Sequence, residues 1–114
     1  MKTLKQLYLS ENEKEALAII KKRVSIEFNS HSFIIFGSTV NGTRDNESDV
    51  DILIITNHKL DRTDRHRITD IIFEINLAYE TNFSTLVVDN DSWSNGPISA
   101  LPIHEEIIRQ GVRV

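Results

Sequence analysis

Apolar residues fall in short blocks separated by polar stretches, and the shape of each block predicts its secondary structure. Residues 33–36 (FIIF) and 50–55 (VDILII) are short and mostly apolar, which is typical of buried β-strands. Residues 83–88 predict a third strand. The polar or small residues between the first two blocks predict a loop over 39–48.

Helical spacing of apolar residues marks the segments between the strands. Ser10 with Glu13 three positions later forms a capping-box pattern, which predicts a helix over Glu11–Phe28. A second amphipathic helix follows Asp61 or Thr63, either of which can cap it.

The last segment predicts a turn at residues 95–97 and then a closing helix that ends at Gly111, a candidate C-terminal cap. Five apolar side chains of this segment are expected to point inward: Ile98, Leu101, Ile103, Ile107 and Ile108. The whole pattern indicates an α/β (α+β) fold, a small mixed β-sheet with helices packed against it.

Composition narrows the class of protein. We expect 114 residues to form one domain spanning 1–114. Cysteine is absent and no apolar run is long enough to cross a bilayer, so we predict a cytoplasmic protein that does not insert into membranes. The formal net charge of −4 argues against a nucleic-acid partner. The sequence leaves open whether the chain forms a homo-oligomer.

Two aspartates at the start of the second strand are the candidate metal ligands. Asp49 and Asp51 are two residues apart, so their side chains point to the same face of the strand. Two carboxylates sharing a site raise each other's pKa unless a cation neutralises them. Mg²⁺ suits them, because it binds through one or two carboxylates plus phosphate oxygens.

A Gly-Ser pair follows the first strand and supplies groups that can bind phosphate. Gly37 allows close approach of the backbone, and Ser38 offers a hydroxyl and backbone N–H groups. Turn chemistry alone explains either motif taken singly. Together, with a polar loop between apolar strands, they predict a metal–triphosphate site.

The order Gly37-Ser38, Gly42, then Ser48-Asp49-Val50-Asp51 resembles the signature of the minimal nucleotidyltransferases, small members of the polymerase-β-like nucleotidyltransferase superfamily. The resemblance implies a transferase that moves AMP from ATP to a hydroxyl acceptor with Mg²⁺, two ions being possible. Asp49 and Asp51 would be catalytic and metal-binding. Gly37, Ser38 and Ser48 would bind the nucleotide.

The same resemblance suggests a protein acceptor. Members of this family act as antitoxins beside a helical HEPN-type ribonuclease toxin, and some adenylylate a tyrosine on it. The resemblance therefore implies a toxin–antitoxin setting and a protein partner of that type.

The chain departs from the family pattern at several positions. Relatives often have arginines where this chain has Thr39 and Asn41, and Arg44 is the cation of this loop that could compensate. The third strand lacks the superfamily's third carboxylate, for which Asn82 and Ser84 are the counterparts. The motif favours an enzyme, and these departures leave open a catalytically degenerate antitoxin that only binds its partner.

Overall fold

The computed structural model describes residues 7–45 and 48–114, and its elements follow the predicted order. They are α1 (Glu11–Phe28), β1 (Ser30–Phe36), α2 (Ser38–Asn41), β2 (Val50–Thr56), α3 (Arg62–Tyr79), β3 (Phe83–Asp89), α4 (Asn90–Asn95), a 3₁₀ turn (Pro97–Ala100), α5 (Pro102–Gln110) and β4 (Val112–Arg113). The predicted α/β fold with a small mixed sheet is confirmed. Within the described residues, no helix combines the length and apolar character needed to span a bilayer.

The sheet has four strands in the order β3-β2-β1-β4. β2 is antiparallel to β1 and parallel to β3, which is reached through the crossover helix α3. Asp51 on β2 pairs with Phe36 on β1 and with Ser84 on β3. The register therefore places the Gly37 turn and the start of β3 on either side of the aspartates.

The two long helices begin as the sequence predicts. The backbone N–H of Glu13 donates to Ser10 Oγ at 3.1 Å, and the Ser10 N–H donates to Glu13 Oε1 at 2.9 Å, which completes a capping box. Asp61 caps α3 by accepting the Asp64 N–H at 2.8 Å. These local hydrogen bonds fix where each helix starts.

Alternate residues of β2 pack into two apolar cores on opposite faces of the sheet. The first core lies under α1 and α3, and the second lies under α4 and α5. β2 contributes Val50, Ile52 and Ile54 to the first and Leu53 and Ile55 to the second. By this alternation, Asp51 projects from the second face. Trp93 and Ile107 pack against the second core, on the same face of the sheet as Asp51.

The closing segment differs from the prediction of one inward-facing helix. Pro102 starts a new helix at its first turn, after the 3₁₀ turn, which changes the helical phase. Ile107 is buried, but Leu101 and Ile108 are 51% and 57% exposed, so the prediction was wrong for these two. Gly111 has φ −60°, not the left-handed value of a cap. A Cβ there would lie 2.5 Å from the Ile107 carbonyl oxygen, so close packing requires the glycine.

Candidate active site

A sharp turn at Gly37 brings the backbone against Asp51. Gly37 has φ +78°, a conformation that side chains disfavour. A Cβ on Gly37 would lie 2.5 Å from Asp51 Oδ2. The carbonyl of Gly37 then accepts the N–H groups of Val40 at 3.0 Å and Asn41 at 3.1 Å, which forms α2 where the sequence predicted only a loop. This turn requires glycine for two separate reasons, backbone conformation and space.

The pKa of the Asp51 carboxyl is shifted from its ordinary value. Its side chain is half-buried on β2, and Asp49 lies just before the start of that strand. Burial raises the pKa of the Asp51 carboxyl, and the negative charge of Asp49 raises it further. Both effects favour the protonated, uncharged form of Asp51, and a bound cation would oppose them.

Asp49 lies just before β2 and is exposed, and Asn82 from the neighbouring strand contacts it. Asn82 Nδ2 donates to Asp49 Oδ1 at 2.5 Å, and the Asn82 carbonyl accepts the Val50 N–H at 3.0 Å. Asn82 and Asp49 are thus held together by two bonds between the starts of β2 and β3. The structure places Asn82 beside the first aspartate and Ser84 beside the second.

Asn76 is a residue of this site that sequence reasoning missed. Its Oδ1 accepts the Phe83 N–H at 2.9 Å and the Thr81 hydroxyl at 3.0 Å, and its Nδ2 donates to the Phe83 carbonyl at 3.1 Å. Asn76 therefore fixes the short loop that carries Asn82. The available signal was a lone amide inside an amphipathic helix, one position from the apolar residue Ile75.

The predicted serine ligands are in different environments. Ser38 is the first residue of α2, half-buried at the turn. The hydroxyl of Ser48 accepts the Asp45 N–H at 3.1 Å and donates to Asp45 Oδ1 at 3.0 Å. The Ser48 hydroxyl therefore closes its own loop. Ser84 is exposed next to Asp51.

Arg44 does not compensate for the missing arginines, because its guanidinium is turned toward α1. It forms a two-pronged ion pair with Glu13 and donates to the Tyr8 carbonyl at 2.8 Å. Burial acts to raise the pKa of Glu13, but hydrogen bonds from Arg44 and Ser10 and the charge of Arg44 outweigh it and lower that pKa. The pair anchors the loop that leads to Asp49.

Thr39 and Asn41, the positions where relatives often have arginine, place no positive charge at the Gly37 turn. Thr39 is buried, and its hydroxyl has no hydrogen-bond partner among the described residues. Asn41 is exposed and accepts the Thr43 N–H at 3.1 Å. Asp89, at the far end of β3, pairs with Thr56 and caps α4 through Ser92, so it is remote from the aspartate pair.

The side chains present fit a magnesium ion. In residues 7–45 and 48–114, no group of three or more His, Cys, Asp or Glu side chains is placed to share a metal. Asp49 and Asp51 therefore offer two carboxylates, the number that Mg²⁺ takes when phosphate oxygens complete its shell. The Asn82 amide can rotate to present its oxygen instead of its nitrogen.

A pH experiment tests the electrostatics of Asp51. Its folded pKa lies above the ordinary value of 3.8, so the folded chain binds this proton more tightly than the unfolded chain. Stability without metal should therefore fall as the pH rises from the ordinary value through the raised one, and stay lowered at neutral pH. We expect Asp51→Asn to be more stable than wild type at neutral pH, by up to about 1 kcal/mol because solvent screens a half-buried pair.

Denaturant unfolding of both proteins between about pH 4 and pH 7 measures this difference. The difference should shrink toward acid, where Asp51 is protonated in both states. A difference that does not vary with pH would contradict the electrostatic origin.

Comparisons with known proteins agree with this geometry. The family model described as "Nucleotidyltransferase domain" matches residues 13–91, which include the Gly37 turn and both aspartates. No curated protein matches the chain.

Several solved structures are similar to the chain. A toxin–antitoxin protein crystallised with AMP-PNP has a TM-score of 0.58 and 17% identity, covering 88% of this chain and 70% of the other. A mutant of the toxin–antitoxin MntA–HpeT has a TM-score of 0.54 and 21% identity, covering 92% of this chain and 72% of the other. An inferred nucleotidyltransferase from Sulfolobus solfataricus has a TM-score of 0.52 and 22% identity, covering 68% of each chain.

Identities this low establish likeness of fold, and the family match establishes descent. The match spans strands β1 to β3, the Gly-Ser turn and the paired aspartates. The chain belongs to the nucleotidyltransferase domain family, and its fold is that of the polymerase-β-like nucleotidyltransferases.

Proposed function

We propose that this protein transfers AMP from Mg²⁺-bound ATP to a hydroxyl group of a partner protein, a tyrosine of a HEPN-type toxin. The observation that carries the proposal is the close approach of the Gly37 backbone to Asp51, with Asp49 near enough to raise the pKa of Asp51. The neighbour crystallised with AMP-PNP supports a nucleotide ligand, and the toxin–antitoxin neighbours support a protein partner.

The chain's own groups would bind the triphosphate in a defined way. Asp49 and Asp51 would hold Mg²⁺, which would neutralise charge on the phosphates and on the departing pyrophosphate. The N–H groups of Val40 and Asn41 are used by the Gly37 carbonyl. The N–H groups of Ser38 and Thr39, at the first two positions of α2, have no such intrahelical acceptor and would bind the phosphates.

The reaction is a displacement at the α-phosphorus. The acceptor oxygen bonds to the α-phosphorus, the bond from that phosphorus to the bridging oxygen of the β-phosphate breaks, and pyrophosphate leaves. The hydroxyl proton passes to water. The protein contributes mainly positioning of the two reactants and electrostatic stabilisation.

The residues beside the aspartates favour a tyrosine acceptor. Ser84 and Asn82 occupy the positions next to Asp51 and Asp49, and neither is a carboxylate that could accept the proton at neutral pH. An acceptor that loses its proton easily then has the advantage. A tyrosine hydroxyl has a pKa near 10, far below that of an aliphatic alcohol.

Two measurements test the proposal. Calorimetric titration of ATP, with and without Mg²⁺, should give binding that requires the metal. Incubation with labelled ATP and a co-expressed helical toxin should then label the toxin, whereas α,β-methylene-ATP, which cannot lose pyrophosphate, should bind without labelling. No binding at about millimolar ATP (a free energy weaker than about −4 kcal/mol) would overturn the proposal.

A second candidate function is neutralisation of the partner by binding alone. It is favoured by the Asn82 amide on Asp49 and by the neutral residues at Thr39 and Ser84. A pure binder would form its complex equally well with Asp51→Asn. A transferase would lose neutralisation with that substitution even if the complex persisted.

A further inference from the structure

β3 is an edge strand, and the backbone groups on its outer side are only partly hydrogen-bonded within the described residues. The Asn82 carbonyl accepts the Val50 N–H, so the even-numbered residues of β3 bond to β2 and the odd-numbered ones point outward. Asn76 bonds both backbone groups of Phe83, and Arg65 Nη1 donates to the Val87 carbonyl at 2.9 Å. Between them, the N–H and carbonyl of Thr85 point away from the sheet, and no strand lies beyond β3 in the described residues.

A groove runs along this edge between β3 and α3. Its volume is about 320 Å³, and its apolar wall includes Phe73, which is 63% exposed. Ser84 and Thr85 line its floor. Since Ser84 pairs with Asp51, a strand added at this edge would turn alternate side chains toward the groove on the α3 face and toward Asp51 on the opposite face. An aromatic wall beside free backbone groups is the pattern that binds an extended peptide as an added strand.

We propose that an extended segment of the acceptor protein pairs with the edge of β3 and thereby places its tyrosine at Asp51. This inference rests on the proposed function and specifies how the acceptor is presented. The occupant is one extended segment of the acceptor outside its helices, held by the backbone groups of Thr85 and by apolar contact with Phe73.

Sheet geometry explains why a tyrosine suits this position. The residue paired with Ser84 on the added strand projects from the same face of the sheet as Asp51. It lies two strand spacings from Asp51, about 10 Å between Cα atoms. Only a long side chain can carry a hydroxyl across that distance, which favours tyrosine over serine or threonine.

Charges along the groove indicate the composition of the segment. Arg62 and Arg65 lie on the same helical stripe of α3 as Phe73, at one end of the groove, and Glu80 lies at the end near Asp49. A complementary segment has a basic residue next to its tyrosine and an acidic residue about four positions away. A second copy of this chain is disfavoured because each copy has a net charge of −4.

A matched pair of variants at Thr85 tests the strand pairing. Thr85→Pro removes the outward N–H, and it leaves the bonds to β2 intact because that N–H does not point toward β2. Thr85→Val keeps the N–H and the strand preference. The probe is a fluorescein-labelled peptide of about seven residues, a length typical of a strand. It alternates valine with polar residues and carries lysine beside tyrosine and a distal glutamate.

We expect the peptide to bind wild type and Thr85→Val alike, and to bind Thr85→Pro about five- to tenfold more weakly, as loss of one hydrogen bond implies. N-methylation of the peptide amides that face β3 should abolish binding. Thermal melts of both variants establish that they are folded. Equal binding by the two variants, or no binding to wild type, would overturn the proposal.

Two further readouts separate the possible failures. If wild type is a dimer that Thr85→Pro converts to a monomer, a second copy occupies the edge and the proposal is wrong. The Mg²⁺-ATP titration of wild type is made in parallel. ATP binding without peptide binding rejects only the strand pairing, whereas absence of ATP binding rejects the proposed function itself.

Discussion

Replacing Gly37 with alanine should strongly weaken Mg²⁺-dependent ATP binding. The new Cβ would lie 2.5 Å from Asp51 Oδ2, so the carboxylate or the turn must move. Displacement of a metal ligand, together with distortion of the Ser38 backbone that would bind phosphate, should weaken binding by about 10- to 100-fold, the range typical for lost metal-site partners. Calorimetric titration of Mg²⁺-ATP into the variant measures the effect.

Gly42 provides a matched control for backbone strain. It has φ +83°, close to the +78° of Gly37, but a Cβ there meets nothing within 4 Å. Both alanine variants should therefore lose stability by about 1–2 kcal/mol through the left-handed conformation. Only Gly37→Ala should lose ATP binding. Equal loss of binding in the two variants would mean that strain of the loop, and not the clash with Asp51, controls the site.

Asp51→Asn should reduce transfer of AMP to the acceptor by about 100-fold or more, because an amide is a neutral and weaker ligand for the metal that would neutralise the phosphates. The same substitution removes the repulsion between Asp51 and Asp49, so the metal-free protein should become slightly more stable. Loss of function with a gain in stability distinguishes a ligand from a structural residue. Labelled-ATP transfer and thermal unfolding measure the two effects.

Asp70→Asn serves as the control for a change in net charge, because Asp70 is an exposed carboxylate on α3. We expect this variant to transfer AMP and to melt like wild type, since isolated surface charges contribute little. If Asp51→Asn retained full transfer, the aspartate pair would not be the metal site. If it bound and neutralised the partner while transfer was absent even in wild type, the binding module would be the correct function.

Most of the secondary structure could be predicted because each element is encoded by its own neighbours. The capping box of Ser10 and Glu13 predicted the exact start of α1, and Asp61 was one of two caps considered for α3. The spacing of Asp49 and Asp51 was enough to pair them, and Asp49 is near enough to raise the pKa of Asp51. The prediction for the closing segment was wrong at Leu101 and Ile108 because Pro102 starts a new helix there. The rotation of that new helix decides which side chains face the core, and both of these are exposed.

The surroundings of the aspartates depend on partners that are distant in the chain. Arg44 binds Glu13, 31 residues away, and Asn82 binds Asp49, 33 residues away. The sequence offered Arg44 as a candidate phosphate ligand, but the buried Glu13 carboxylate requires a cation nearby, and the fold brings Arg44 to it. No local pattern could reveal that pairing.

The amino-acid sequence by itself determined the two long helices, the first three strands and the glycine turn, because these follow from periodicity and backbone preference within a few residues. Only the tertiary structure decided that Gly37 packs on Asp51, that Ser84 stands beside it, and that the edge of β3 is open. Those features depend on strand order and register, which are set by packing of two cores across the whole chain.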